Sequence, residues 1–144
     1  MDQRLTFITL GVIDLAMMRD FYVEKFGWTP MQDNEGIVFF RLNGIVLALY
    51  SSSELAEDVG IAGHGSGFKR FSLSINFNSA DEVDKVYDEL LENGVQGIRK
   101  PEKVFWGGYR GYIADPEGNF WELAHNPFLP LDEDGNVAPP ENED

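Results

Sequence analysis

Hydrophobic and polar positions alternate along several short stretches of the chain, and helical spacing replaces the alternation in two places. The clearest strand is residues 71–77 (FSLSINF), which places aromatic and aliphatic side chains on one face. The opposite face of the same strand carries Ser72, Ser74 and Asn76. This pattern is typical of a half-buried strand whose second face is available for polar contacts.

The same order of elements occurs twice along the chain: a strand, a capped helix, a glycine and three further strands. The two predicted helix caps, Asp14 and Ser79, are 65 residues apart, and the helix-ending glycines, Gly27 and Gly94, are 67 residues apart. Ser79 also begins a capping-box sequence, SADE. The predicted strands are 5–12, 28–32, 37–42, 45–50, 71–77, 95–100, 106–114 and 119–125, and the predicted helices are 15–26 and 79–91. The repeat predicts two copies of one βαβββ module.

One such module leaves the second face of its sheet bare, so two modules have a reason to pair. The prediction is therefore an α+β fold in which two tandem modules pair into a cupped mixed sheet with the helices outside. Module one is expected at about 4–52 and module two at about 70–126, within a single domain over 1–126. Residues of about 53–69 are interpreted as a linker, with one helical turn at its start. The acidic, proline-rich tail, 127–144, is expected to be partly disordered, mainly in its last ten residues. A chance βα repeat in an ordinary α+β domain is the alternative.

The charge and composition of the chain limit the kinds of partner that it is expected to bind. The 144 residues carry a formal net charge of −14, which disfavours nucleic acid and anionic membranes and leaves a neutral or cationic small molecule as the expected partner. Solubility alone is the simpler explanation of this acidity. The absence of cysteine excludes disulfides and thiolate metal sites. No signal peptide and no apolar run of membrane-spanning length occurs, so a cytoplasmic protein is expected.

Two segments carry a family resemblance. Residues 8–28 (ITLGVIDLAMMRDFYVEKFGW) and 111–128 (GYIADPEGNFWELAHNPF) resemble the first strand and helix and the closing hairpin of the glyoxalase / bleomycin-resistance / dioxygenase family, the vicinal oxygen chelate superfamily. The resemblance covers about 5–128, and residues 105–112 (FWGGYRGY) are similar to an uncharacterised glyoxalase-like branch. It implies either an enzyme that uses a divalent metal or a metal-free protein that sequesters a small molecule. It also implies a homodimer.

The metal ligands that the resemblance implies are His or Glu at four strand positions. This chain has Phe7, Ala48, Ser72 and Glu122 there, and only Glu122 is a good ligand for a divalent ion. We therefore expect no metal and no cofactor. A divalent metal held by Glu122, His64 and water is kept as an alternative.

By strand parity and the resemblance, an apolar face with a few hydroxyls, one amide and one carboxylate is expected to bind a ligand. An aromatic cluster of residues 105–112 is expected to form a wall or lid of this site. The candidate ligand-binding residues are Phe7, Thr9, Ala48, Tyr50, Ser72, Ser74, Asn76, Trp106, Tyr109, Tyr112, Phe120 and Glu122. Two alternatives remain: the aromatic residues form core, and Glu122 pairs with Arg41 or Arg110. His125, three residues beyond Glu122, is expected on the opposite face with a backbone partner.

Three functions are consistent with these residues. The first is a small-molecule-binding protein without the usual metal. The second is a lyase, isomerase or dioxygenase-like enzyme of the same family, with or without a metal, in which Glu122 is the catalytic base. The third is a structural or regulatory homodimer without a ligand.

Overall fold

The computed structural model of the protein describes residues 1, 3, 5–69 and 71–138. It divides into two compact units, Met1–Arg70 and Phe71–Asp144. The predicted module starts at residues 4 and 70, and the predicted disorder over residues 139–144, lie outside the described residues. Within the described part of the chain, none of the helices combines the length and the apolar character needed to cross a membrane.

The first unit is a four-stranded sheet with two helices. Its strands occur in the order β1-β4-β3-β2, with β1 and β4 parallel and the other neighbours antiparallel. The elements are β1 (Phe7–Val12), α1 (Leu15–Glu24), β2 (Gln32–Asp33), β3 (Ile37–Arg41), β4 (Val46–Ser51) and α2 (Ser52–Val59).

The second unit repeats this topology with one helix. Its strand order is β5-β8-β7-β6, again with one parallel pair, β5 and β8, and two antiparallel pairs. The elements are β5 (Leu73–Asn76), α3 (Ala80–Glu92), β6 (Gln96–Lys103), β7 (Tyr109–Ala114) and β8 (Phe120–His125). The predicted α+β class and the repeated βαβββ order are confirmed.

Both predicted helix caps are confirmed. The Asp14 carboxylate accepts a 3.0 Å hydrogen bond from the backbone N–H of Met17. The Ser79 hydroxyl accepts from the N–H of Glu82 at 3.2 Å, and the Glu82 carboxylate accepts from the N–H of Asn78 at 2.8 Å. These bonds satisfy donors that a helix N-terminus leaves without an intrahelical partner, so they fix where α1 and α3 begin.

The predicted second strand, residues 28–32, is wrong over most of its length, since β2 is only Gln32–Asp33. Trp28 instead stacks on Tyr22 of α1, with ring centroids 5.6 Å apart, and contacts Phe40 at 5.8 Å. Pro30 lacks a backbone donor and cannot extend the ladder. Aromatic packing therefore holds Trp28 against α1 and away from the sheet ladder, while Thr29 and Met31 remain exposed.

The predicted linker and tail contain more local structure than their composition indicates. The eight-residue helix α2 occupies the start of the linker. In the tail, Leu131 pairs with Val137, and the Asp132 carboxylate accepts from the N–H groups of Asp134 and Asn136 at 3.0 and 2.9 Å. The tail thus forms a tight hairpin turn within the residues described up to 138.

Candidate functional site

The two faces of the second sheet differ in what covers them. The hydroxyl of Tyr109 donates a 2.6 Å hydrogen bond to Asp84 of α3, which marks the face that the helix covers. The strand register pairs Glu122 with both Ser74 and Tyr112, and alternation places these three residues on the opposite face. The face that α3 does not cover is called the open face below.

Glu122 lies at the centre of the open face and both of its carboxylate oxygens accept hydrogen bonds. Ser74 Oγ donates to Oε1 at 2.9 Å, and the Tyr112 hydroxyl donates to Oε2 at 3.0 Å. Ser74 Oγ also lies 3.2 Å from Oδ1 of Asn76, but its single proton is better placed on the closer Glu122. The carboxylate is therefore held in one orientation by two neutral hydroxyl groups.

Tyr112 is the half-buried member of this cluster. Burial, then the hydrogen bond to the Glu122 carboxylate, raises the pKa of Tyr112 above the ordinary tyrosine value. The phenol therefore remains protonated and continues to donate at neutral pH. A protonated phenol beside a carboxylate gives the open face one hydrogen-bond donor and one acceptor within contact of each other.

A second polar group on the open face comprises Arg99, Glu102 and Arg110. Glu102 Oε1 accepts from Nε of Arg99 at 2.9 Å and from Nη1 of Arg110 at 3.2 Å. The guanidinium carbon of Arg110 lies 5.8 Å from the centre of the Tyr112 ring. The Arg99 and Arg110 hydrogen bonds lower the pKa of Glu102, with Arg99 the larger cause. Tyr112 thus lies between the arginine group and Glu122.

A β-bulge in β6 explains why sequence reasoning missed this group. Arg99 is opposite Tyr112 and Glu102 is opposite Arg110, so three steps along β6 match two along β7. In a regular strand, residues three apart point to opposite faces, and Glu102 would face α3. The bulge brings Glu102 to the face that Arg99 and Arg110 share. Arg110 was considered from the sequence as a partner of Glu122, but among the described residues it donates to Glu102 instead.

Gly111 is part of the same bulge. A Cβ atom at this position would lie 3.0 Å from the carbonyl oxygen of Arg99 and 3.0 Å from the ring of Pro101. Pro101 has no N–H to offer the ladder, which suits the irregular position. The close approach of the two strands at the bulge therefore requires a glycine on β7.

The candidate residues of the first unit lie on one face of the first sheet. Register pairs Thr9 with Ala48 and Gly11 with Tyr50, and the intervening side chains of β1 and β4 form the buried core against the helices. The ring of Phe39, which sequence reasoning missed, meets the ring of Phe7 edge-on with centroids 5.3 Å apart. Register also places Arg41 and Gln32 on this face, so it combines aromatic surface and hydroxyl groups with one cation and one amide. The predicted residues on it are Phe7, Thr9, Ala48 and Tyr50.

The aromatic cluster predicted near residues 105–112 is not one wall. Tyr109 lies on the face that α3 covers and Tyr112 on the open face, so the prediction that they act together is wrong. Phe105 and Trp106 belong to the loop between β6 and β7, where Phe105 is fully exposed and Trp106 is 43% exposed. Odd spacing along a continuous strand separates the two tyrosines.

The remaining predicted residues have these positions. Phe120 pairs with Ala114 on the open face, and Ser72 precedes the first residue of β5. His125 pairs with Tyr109 on the covered face, and its Nδ1 lies 3.0 Å from the carbonyl oxygen of Phe77, as predicted. His64 is exposed and outside any helix or strand.

The residues at the four positions implied for a metal do not fit a divalent ion. Phe7 and Ala48 have no donor atom and Ser72 is a poor ligand, so Glu122 alone is left at these positions, and one carboxylate does not hold a catalytic ion. Across the described residues, no group of three or more His, Asp or Glu side chains is placed to share an ion.

The first unit also has a concavity of about 460 Å³ between α1 and the turn after β2. Three of its polar side chains, Arg19, Asp33 and Asn34, already have hydrogen-bond partners. Arg19 donates to Asp33 from Nε and Nη2, at 3.1 and 2.7 Å, and Asn34 Oδ1 accepts from two backbone N–H groups of the turn. The open face of the second unit, with a less fully engaged arginine, is the better candidate site.

The sequence model of the Glyoxalase/Bleomycin resistance protein/Dioxygenase superfamily matches residues 4–123. The chain belongs to this superfamily. The resemblance predicted from the first helix and the closing hairpin is therefore confirmed, and the match covers both βαβββ modules.

Solved structures of the superfamily have the same fold. The chain is similar to a glyoxalase-related enzyme from Fulvimarina pelagi, with a TM-score of 0.84 and 40% identity over 94% of this chain and 97% of that chain. It is also similar to a glyoxalase/bleomycin resistance protein/dioxygenase from Nocardioides, with a TM-score of 0.76 and 25% identity over 87% and 84% of the two chains. A lactoylglutathione lyase from Agrobacterium tumefaciens shares the fold, with a TM-score of 0.70 and 20% identity over 87% and 95%.

Proposed function

We propose that the protein binds a small molecule on the open face of its second sheet, with Glu122 accepting a hydrogen bond from an N–H or O–H group of the ligand. The observation that carries this proposal is the fixed Glu122 carboxylate, held by Ser74 at 2.9 Å and Tyr112 at 3.0 Å. A carboxylate oxygen accepts more than one hydrogen bond, so each oxygen keeps capacity for a ligand.

The surroundings of Glu122 support a ligand rather than a purely structural acid. Among the described residues the hydrogen-bond partners of Glu122 are two neutral hydroxyl groups, and no cation among them neutralises its charge. Ligand sites combine apolar walls with a few polar groups that fix orientation. The half-buried rings of Phe120 and Tyr112 supply apolar surface beside this carboxylate.

The test is a fragment screen of the full chain by ¹⁵N–¹H NMR, using neutral aromatic amides and alcohols. Fragments that shift the amide signals of Ser74, Tyr112 and Glu122 are then titrated against Glu122→Gln. This variant keeps the shape but loses the carboxylate, so affinity is expected to fall by about tenfold for one lost charge-assisted hydrogen bond.

The matched control is Glu89→Gln, which removes the same charge from an exposed position on α3. It is expected to bind the fragments as the natural chain does. The proposal is contradicted if no fragment perturbs the open face, or if both variants bind equally well. Elemental analysis of untreated protein is a second check, since a stoichiometric divalent metal on this face would contradict a metal-free binding protein.

An enzyme that uses Glu122 as a general base is the second candidate function. It is favoured by the contact between Glu122 and Tyr112, because the raised pKa of Tyr112 keeps a proton donor next to a proton acceptor. Such a pair suits a lyase or isomerase that removes a proton at one atom of a substrate and supplies one at another. Glu122 would take the proton and Tyr112 would donate.

The two candidates differ in what Glu122→Gln does to a bound substrate. For the enzyme, turnover is lost while binding is reduced only moderately, and Tyr112→Phe lowers kcat more than it raises KM. For the binding protein, no bound fragment is converted by either form. Unchanged turnover in Glu122→Gln would rule out its role as the base.

A further inference from the structure

Arg110 is the most deeply buried side chain of the group formed by Arg99, Glu102 and Arg110, and most of its N–H donors have no acceptor among the described residues. Its side chain is 13% exposed, and its one hydrogen bond among the described residues is the 3.2 Å contact from Nη1 to Glu102. A guanidinium has five N–H donors in a planar fork. A cation with this degree of burial ordinarily has several strong acceptors. Arg110 therefore keeps four N–H donors that a ligand can use.

The remaining N–H groups of Arg110 have access to the surface of the open face. The described residues contain no buried side-chain nitrogen that lacks a hydrogen-bond partner, so the donors that Glu102 leaves unused are not sealed in the core. The Tyr112 ring, 5.8 Å from the guanidinium carbon, restricts the position of Arg110 on one side. The fork is therefore both held in place and reachable from the site that contains Glu122.

Glu102 bridges Arg110 and Arg99 with a single oxygen. Oε1 lies 2.6 Å from Nη2 of Arg99 and 3.2 Å from Nη1 of Arg110, and within the described residues Oε2 has no hydrogen-bond or ion-pair partner. Both Glu102 and Arg99 are at least half exposed, and ion pairs of this kind contribute little to stability. A carboxylate that arrived with a ligand could displace Glu102 from Arg110 at small cost and pair with the fork through two oxygens.

The geometry points to an anion subsite on the open face, in which Arg110, assisted by Arg99, binds a carboxylate of the ligand while Glu122 accepts from a hydroxyl of the same molecule. This inference rests on the proposed function and names its ligand class: a small aromatic or apolar hydroxy acid. Arg110 and Glu122 are diagonal neighbours on β7 and β8, a separation of about 7–8 Å between Cα atoms. One aromatic ring with substituents at opposite ends spans such a distance.

The local charge on the open face differs from the charge of the whole chain. The net charge of −14 repels anions at long range and slows their approach. The group formed by Arg99, Arg110 and Glu102 carries a net positive charge that an anion meets at contact. Salt weakens the long-range repulsion from the whole chain more than it weakens this attraction at contact.

The experiment compares two probes, 4-hydroxybenzoate and 4-hydroxybenzamide, which differ only in charge at one end. Both are titrated into the full chain by ¹⁵N–¹H NMR, and the signals of Arg110, Tyr112 and Glu122 are followed. The acid is expected to bind about tenfold more tightly than the amide, the value of one charge-assisted pair. Arg110→Gln abolishes this preference and leaves the affinity for the amide unchanged. Lys100→Gln, which removes an exposed charge from the same strand, keeps the preference.

Glu102→Gln gives the decisive second result, since it removes the competing carboxylate and keeps Arg110. The variant is expected to bind the acid several-fold more tightly and the amide unchanged, whereas Glu89→Gln, with the same change in net charge, has little effect. Equal affinity for both probes, or an equal loss for both in Arg110→Gln, overturns the subsite.

The outcomes separate this inference from the proposed function. An amide whose binding depends on Glu122, with no preference for the acid, overturns the anion subsite alone. If neither probe shifts the open face at millimolar concentration, the subsite is overturned as well. The proposed function is then decided by the neutral fragments and Glu122→Gln.

Discussion

The hydroxyl of Tyr112 donates to Oε2 of Glu122 at 3.0 Å, across the antiparallel pair of β7 and β8. Within the described residues, Tyr112 carries the only aromatic hydroxyl on the open face of the second sheet. The contact links this hydroxyl to the carboxylate of Glu122 at the centre of the same face. A tyrosinate at this position would face a negative charge, so the hydrogen bond favours the protonated phenol. The pKa of Tyr112 therefore reports whether its contact with Glu122 is in place.

Replacing Glu122 with Gln is expected to lower the pKa of Tyr112, because both the hydrogen bond to a carboxylate and the repulsion are lost. Burial, the larger cause, remains, so the pKa stays above the ordinary tyrosine value. The measurement is the ¹³C chemical shift of the labelled tyrosine ring against pH. Glu89→Gln serves as the control, and a pKa of Tyr112 that is unchanged in Glu122→Gln would show that the contact does not form in solution.

Tyr109 and Asp84 predict a loss of stability at alkaline pH. The hydrogen bond to Asp84 is the main cause that raises the pKa of Tyr109 to about 12, whereas an unfolded tyrosine titrates near about 10. Above the lower value the unfolded chain releases a proton that the folded chain retains. The stabilisation is therefore complete below about pH 10 and is lost as pH rises towards about 12.

The measurement for this prediction is urea unfolding of the natural chain and Asp84→Asn across that pH range. Burial also raises the pKa values of Tyr87 and Tyr112, so some alkaline loss remains in the variant. Asp84→Asn is expected to make the slope of unfolding free energy against pH shallower. Identical slopes would mean that the Tyr109–Asp84 bond does not persist.

Gly111→Ala tests the β6 bulge. The new methyl group would meet the Arg99 carbonyl and the Pro101 ring at 3.0 Å, and overpacking of this kind costs about 1–3 kcal/mol. The control is Gly36→Ala, where the new atom would have only an ordinary contact at 3.6 Å with Asn34. Urea unfolding measures both, and the bulge assignment fails if the two variants are equally stable.

Ser79→Ala tests the cap of α3. The hydroxyl accepts from the N–H of Glu82 at 3.2 Å, and loss of an N-cap side chain costs about 1 kcal/mol. Ser51 is a matched control because it holds the N-cap position of α2 without a capping hydrogen bond from its side chain. Thermal unfolding should show a larger decrease for Ser79→Ala than for Ser51→Ala. The reverse order would contradict the capping box.

Local rules predicted the second unit well because its signals agree with one another. Ser79 is followed by Glu82 at capping-box spacing, and the alternation of residues 71–77 placed Ser74 on the face that also carries Glu122. The hairpin that returns from β7 to β8 then fixed Tyr112 opposite Glu122. These features depend on residues that are neighbours in the sequence or on a regular alternation, and both can be recognised in a single sequence.

The features that were missed depend on irregular backbone or on packing between distant residues. Trp28 packs on Tyr22, so a segment with strand-like composition leaves the sheet. The bulge changes the parity of Glu102, and no alternation rule foresees an extra residue in one strand. The tail hairpin forms because Asp132 accepts from two backbone N–H groups, a contact that acidic composition does not indicate.

The extra residue in β6 makes strand length, rather than residue identity, a determinant of the surface chemistry. Inserting one residue between Arg99 and Glu102 while the bulge is kept would leave an odd number of regular steps between them and would rotate one of them towards the helix. Arg110 would then lose its acidic neighbour although none of the three residues had been replaced. An insertion of one residue in this strand would therefore change the charges on the open face while every charged side chain stays the same.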